Sequence, residues 1–76
     1  MPAKKSPANQ RLGKAIRSAR ELRGYTQEGF ARNARMDRSY YGAIERGEFN
    51  LSVDTVLKIA AALEMTASEL FRRAKL

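Results

Sequence analysis

Apolar residues along this chain recur at spacings of three and four, with polar residues between them, which is the period of helices. Leu12, Ala15, Ile16, Ala19 and Leu22 make the first such stripe. Asn9 is placed to cap that helix, because its side-chain oxygen can accept from a free backbone N–H. Gly24 marks the end, since glycine tolerates the left-handed conformation that follows a last turn. Thr26 caps a second helix over about 27–34, with Phe30, Ala31 and Ala34 on its buried face. Gly29 in its first turn costs roughly 1 kcal/mol against alanine. Asp37 caps a third helix over about 38–46, in which Tyr41 and Ile44 point inward beside the stem of Glu45. Residues 47–51 form a loop. Ser52 caps a fourth helix over about 53–63, whose stripe is Val53, Val56, Leu57, Ala60 and Leu63. Thr66 and Glu69 form a capping box, Thr-x-x-Glu, for a fifth helix carrying Leu70 and Phe71.

No alternating run of β-branched residues is present, so no strand is predicted and the fold class is all-α. The second and third helices are the shortest and are joined by about three residues. Two short helices linked so tightly cross steeply, as in a helix-turn-helix. Residues 1–8 hold two prolines, two lysines and a serine and read as a disordered basic arm. Residues 9–76 are then one helical domain, with the helix-turn-helix at about 26–46.

Composition narrows the function. A chain of 76 residues buries a marginal core. It has no cysteine, so neither a disulfide nor a thiolate metal site holds it together. Helix packing or a partner subunit must supply the stability. The lack of cysteine fits a reducing cytoplasm. There is no histidine, the usual general base and commonest metal ligand. No Gly-rich phosphate loop and no spare carboxylate pair is visible. Enzyme function, cofactors and metals are therefore not expected. No apolar run approaches the roughly 20 residues of a membrane span. The lysines of the first residues are not followed by an apolar segment, so no secretory signal is read there.

Fifteen Lys and Arg face eight Asp and Glu, a net charge of +7. The excess is concentrated in residues 1–24, where Lys4, Lys5, Arg11, Lys14, Arg17, Arg20 and Arg23 meet a single acid, Glu21. Such a balance suits a polyanion, either nucleic acid or an anionic membrane surface. The apolar stripes are all needed for the core, which argues against the membrane surface.

The segment Thr26-Gln27-Glu28-Gly29-Phe30-Ala31, followed by Met36-Asp37-Arg38-Ser39-Tyr40-Tyr41-Gly42-Ala43-Ile44-Glu45-Arg46-Gly47, resembles the phage repressor and Cro-like helix-turn-helix (XRE) family. The likeness covers about residues 11–72. It implies a compact five-helix, lambda-repressor-like DNA-binding domain that regulates transcription. Asp-Arg-Ser-Tyr, then Ile-Glu-Arg-Gly and an asparagine without a following proline, is similar to controller proteins of restriction-modification systems. The chain departs from the family at Gly29 (usually acidic), Phe30 (usually Leu), Arg35 (often Gly), Tyr41 (usually Ile or Val) and Leu51 (often Pro). Arg35 is the costly one, because a residue with a side chain pays for positive φ.

The implied partner is double-stranded DNA, read in the major groove by the third helix. Arg38 stands in its first turn, where its planar fork can meet guanine. Ser39, Ala43 and Arg46 lie opposite the core face, with Tyr40 on the flank. Gln27 and Asn50 carry over from the family as phosphate contacts, which fix register without reading sequence. Arg20 and Glu45 carry over as a structural ion pair. One short reading helix covers few base pairs, so a homodimer on a palindromic operator is expected. Leu70, Phe71 and Leu76 would supply a contact through the C-terminal helix. The alternative is an antitoxin or other protein-interaction module on the same fold, using Phe49, Leu51 and Phe71 as free hydrophobics.

Overall fold

Each helix begins where a short polar side chain takes up an orphan backbone N–H. The structure, a computed structural model, describes residues 6–76. Among these the elements are α1 (Pro7–Leu22), α2 (Gln27–Asn33), α3 (Arg38–Glu45), α4 (Val53–Ala62) and α5 (Ala67–Arg73), with no strand. Thr26 Oγ1 accepts from Gly29 N at 2.9 Å, Asp37 Oδ2 from Tyr40 N at 2.9 Å and Ser52 Oγ from Thr55 N at 3.1 Å. Thr66 and Glu69 close their box from both sides.

The first helix starts earlier than expected. Ser6, not Asn9, is the cap, its Oγ accepting from Asn9 N at 3.1 Å. Pro7 then takes the first helical position, where its missing N–H costs nothing. Pro7 and Ala8 therefore belong to α1 and not to an arm. Lys4 and Lys5 lie outside the described residues.

The helices also end alike. The C-cap is followed by a left-handed residue, and the next N–H bonds back across the turn. Glycine fills that place at Gly24 and Gly47, but Arg35 (φ 57°), Glu64 (φ 59°) and Lys75 (φ 60°) fill the others. Met36 N reaches Ala31 O at 2.8 Å, and Met65 N reaches Ala60 O at 2.9 Å. In both cases a half-buried methionine packs against the core. Burying that side chain and making the bond offset the cost of positive φ at the preceding residue.

Phe30 and Tyr41 meet at the centre, ring centroids 5.1 Å apart, and Tyr25 stands edge-on to Phe30 at 5.5 Å. Ile16, Ile59, Leu63 and Leu70 close around them, all fully buried. The enlarged Phe30 and Tyr41 are thus the bulk of the core. Helix α1 lies across α3 at Gly13. A Cβ there would collide with the carbonyls of Glu45 and Ile44, the latter at 2.7 Å. No side chain fits that crossing.

Three stripe positions differ from expectation. Leu22, Val53 and Leu57 are 69 %, 74 % and 51 % exposed. On α4 the buried face is Val56, Ile59, Ala60 and Leu63, so Ile59 faces the core and Val53 and Leu57 stand on the flank. Leu70 is fully buried and Phe71 packs against the core, which leaves Leu76 as the exposed apolar end of the chain.

Candidate nucleic-acid interface

The start of α2 and the outer face of α3 form a shallow open recess of about 240 Å³, lined by Gln27, Arg38, Ser39, Gly42 and Arg46. Asp37 and Thr26 place these residues, because each cap fixes where its helix begins. Arg38 and Ser39 occupy the first turn of α3 and are exposed. Tyr40 is 38 % exposed and rests its ring on Phe49 at 5.5 Å. Phe49 is therefore engaged with the α3 face, and Leu51 and Phe71 pack on the core. All three are half-buried, so none stands as a fully exposed hydrophobic.

Ala43 requires a correction. It was expected on the groove face, yet it is 6 % exposed. The chain beyond Gly47 folds back over that flank of α3, and Glu48 N donates to Ala43 O at 3.1 Å. A methyl group is too short to project past this cover. Asn50 is exposed in the same loop, its Oδ1 accepting from Asn9 Nδ2 at 2.8 Å. That bond ties the loop to α1 and engages only the acceptor end of the Asn50 amide.

Behind the recess lies a buried polar hub. Arg20 Nε donates to Glu45 Oε2 at 2.7 Å, and Nη2 donates to Oε1 at 3.1 Å. Arg20 Nη1 also donates to the Tyr25 carbonyl at 2.9 Å. The Tyr41 hydroxyl donates to Glu45 Oε2. Gln27 Nε2 donates to Oε1 at 3.1 Å. The two charged side chains are only 9 % and 3 % exposed. Burial works against ionisation of Glu45, but the bonds from Arg20, Tyr41 and Gln27 outweigh it and hold the carboxyl below its ordinary value. Burial first, and then the bond to Glu45, push the Tyr41 hydroxyl well up. The hydrogen bond to Glu45 raises Arg20 further, against its own desolvation.

The hub couples two roles that the sequence suggests separately. Gln27 faces the recess and is also a ligand of Glu45, so the ion pair holds the first side chain of α2 against α3. Sequence reasoning placed Tyr41 in the core but missed its hydroxyl bond. The signal was available, since Tyr41 and Glu45 are four apart on one helix. Glu48 was missed as well: its carboxylate grips Arg46 at 2.7 Å.

Two short, tightly linked helices in contact, an exposed outer face on the second and a buried ion pair behind it define a helix-turn-helix protein. The helix-turn-helix family model matches residues 16–70, and the chain belongs to that family. The control protein C.MunI of Mycoplasma sp is 42 % identical over 62 residues, covering 80 % of this chain and 84 % of that protein. Among solved structures, the restriction-modification controller protein C.AhdI from Aeromonas hydrophila is 40 % identical. Its TM-score is 0.77, over 82 % of this chain and 94 % of that one. The restriction-modification controller protein C.Esp1396I, solved as a tetramer with its natural 35 base-pair operator, has a TM-score of 0.84 at 28 % identity. That match spans 93 % of each chain. No described helix is long and apolar enough to cross a membrane.

Proposed function

We propose that the chain is a sequence-specific regulator of transcription that binds double-stranded DNA and reads the major groove with α3. The observation that carries this reading is the recess, where Arg38, Ser39 and Arg46 stand beside Gln27 on an exposed face. Arg38 is the base reader: it stands at the helix end that enters the groove first, and its fork matches the O6 and N7 acceptors of guanine. Ser39 and Tyr40 read or pack beside it. Gln27 and Asn50 bind phosphates and set register. Lys14 and Arg17 on the outer side of α1 extend the positive surface beyond Arg46. A regulator of this kind acts in the cytoplasm, alongside the DNA.

Binding-site selection from random duplexes is the test, followed by two variants. Arg38→Ala is expected to cost about 1–3 kcal/mol on the selected site and to relax preference at one base pair per half-site. Gln27→Ala is expected to weaken all sequences about equally. Circular dichroism must show both variants folded. Uniform weakening by Arg38→Ala would make Arg38 a phosphate ligand and pass the reading to Ser39, Tyr40 or Arg46.

The regulator is further proposed to be a homodimer on a palindromic operator, joined through the C-terminal helix. Leu76, 51 % exposed, and the half-buried Phe71 supply the apolar surface; Leu70 is committed to the core. Sedimentation at micromolar concentration is expected to show a dimer that Leu76→Glu weakens while the helices remain. Dissociation by Leu57→Glu instead would move the contact to α4. A strict monomer at high concentration, with and without DNA, removes the dimer altogether.

A further inference from the structure

Arg46 and Glu48 stand two residues apart across the left-handed Gly47, and their ion pair borders the recess. Arg46 Nε donates to Glu48 Oε2 at 2.7 Å and Nη2 to Oε1 at 3.4 Å. One edge of the guanidinium is thereby engaged, and Nη1 is left over. Nη1 lies on Gly42: a Cβ built there would stand 3.3 Å from it and 3.3 Å from Gln27 Oε1. The arginine is laid back along α3, its remaining edge beside Gln27 in the recess that Arg38 and Ser39 also line.

The acid is the anchored member of the pair. Its side chain is 22 % exposed against 56 % for Arg46. Its backbone N–H is bonded to Ala43 O. The turn that carries it is wedged against α1, because a Cβ on Gly47 (φ +76°) would stand 2.7 Å from Gln10 Cα. Glu48 thus holds Arg46, and not the reverse. An arginine on an exposed helix end otherwise sweeps many rotamers and pairs with whichever phosphate is nearest. A carboxylate at the edge of a DNA-facing surface also lowers the attraction of that corner for any phosphate.

We propose that Glu48 is a specificity-determining positioning residue: it fixes the Arg46 guanidinium beside Gln27 and Arg38 and suppresses sequence-independent binding at that corner. The inference rests on the major-groove reading above. It makes Arg46 a contact available in one register, and it assigns Gly42 the role of giving the guanidinium room to lie down.

The test compares a selected operator with a random duplex of equal length, across a salt series. The proteins are the wild type, Glu48→Ala, Glu48→Gln, Arg46→Ala and the double variant Glu48→Ala with Arg46→Ala. Glu48→Ala is expected to tighten binding to the random duplex, lower the specific-to-random ratio about tenfold and steepen the salt slope by about one phosphate per protomer. Glu48→Gln, which keeps one acceptor, is expected to fall between. In the Arg46→Ala background, Glu48→Ala is expected to tighten binding to all duplexes alike, leaving the ratio unchanged. An unchanged ratio in Glu48→Ala overturns the proposal, as does an equal fall with Arg46 already removed. Should Glu48→Ala fail to fold by circular dichroism, Glu48→Gln decides on the same criteria. A wild type that discriminates nothing sinks the major-groove reading and this inference together; a discriminating wild type with a neutral Glu48 sinks this inference alone.

Discussion

Glu45→Ala is expected to cost about 3–5 kcal/mol, the range for removing one partner of a buried ion pair. The loss has three parts. The Arg20 guanidinium keeps its burial without its counter-charge, the Tyr41 hydroxyl loses its acceptor at the centre of the core, and Gln27 loses its tether. A chain of 76 residues has only about 4–11 kcal/mol to lose, at roughly 0.05–0.15 kcal/mol per residue. Urea unfolding by circular dichroism is therefore expected to find the variant's midpoint far below that of the wild type, and the variant unfolded without urea if the wild type lies at the lower end of that range. Removing both charges at once, with Arg20→Met and Glu45→Leu, is expected to recover much of the loss. Acid provides the same test without mutation. The Glu45 carboxyl is held below its ordinary value in the folded chain. Its contribution is therefore complete above the ordinary carboxylate range and disappears as the pH falls through the lowered value. A wild type that keeps full stability in strong acid, or a Glu45→Ala variant with an unchanged unfolding midpoint, would show that the pair does not support the fold.

Operator affinity is expected to fall about 10³–10⁵-fold between roughly 50 and 200 mM salt, the response of a protein that makes about 6–10 phosphate contacts. The estimate comes from the charged surface. Arg38 and Arg46 line the recess, and Lys14 and Arg17 border the adjoining cleft with Arg46. With Arg38 left to its base, Arg46 and the exposed Arg11, Lys14 and Arg17 of α1, doubled by the proposed dimer, fall within that range of contacts. Arg20 does not count, since it is buried with Glu45. Titration of a labelled operator at several salt concentrations gives the slope directly. A flat response would mean that the duplex is held by something other than its phosphates.

How much of this was legible in the sequence depended on the range of the interaction involved. The caps at Thr26, Asp37, Ser52 and Thr66 could be read because each is a bond between residues three apart. The same rule placed the first cap at Asn9, where Ser6 followed by Pro7 is the better match to a helix start. The phase of α4 could not be settled locally. Val53 with Leu57, and Val56 with Ile59 and Leu63, both satisfy helical spacing, and only packing against the rest of the core makes Ile59 the buried one. Ala43 failed for a related reason: helix geometry gives its direction, but the returning loop at Glu48 and Phe49 decides its cover. The Arg20–Glu45 contact spans 25 positions and was legible only through the family likeness. Spacing hints at Tyr41 beside Glu45, but nothing local places Gln27, 18 positions away, on the same carboxylate.

The sharing of that carboxylate divides the DNA-facing surface into two kinds of position. Gln27 is bonded into the hub that supports the fold, so substitutions at it disturb the Arg20–Glu45 pair as well as the proposed phosphate contact. The side chains of Arg38 and Ser39 are exposed and make no hydrogen bond or ion pair with other described residues. Changes of operator preference can therefore accumulate at these two sites with little stability penalty, while the register proposed for Gln27 stays put. Related regulators in one cell could diverge in target this way without redesigning their cores. A library randomised at Arg38 and Ser39 alone should return members with altered targets and near wild-type stability, whereas one randomised at Gln27 should return folded members of lower average stability.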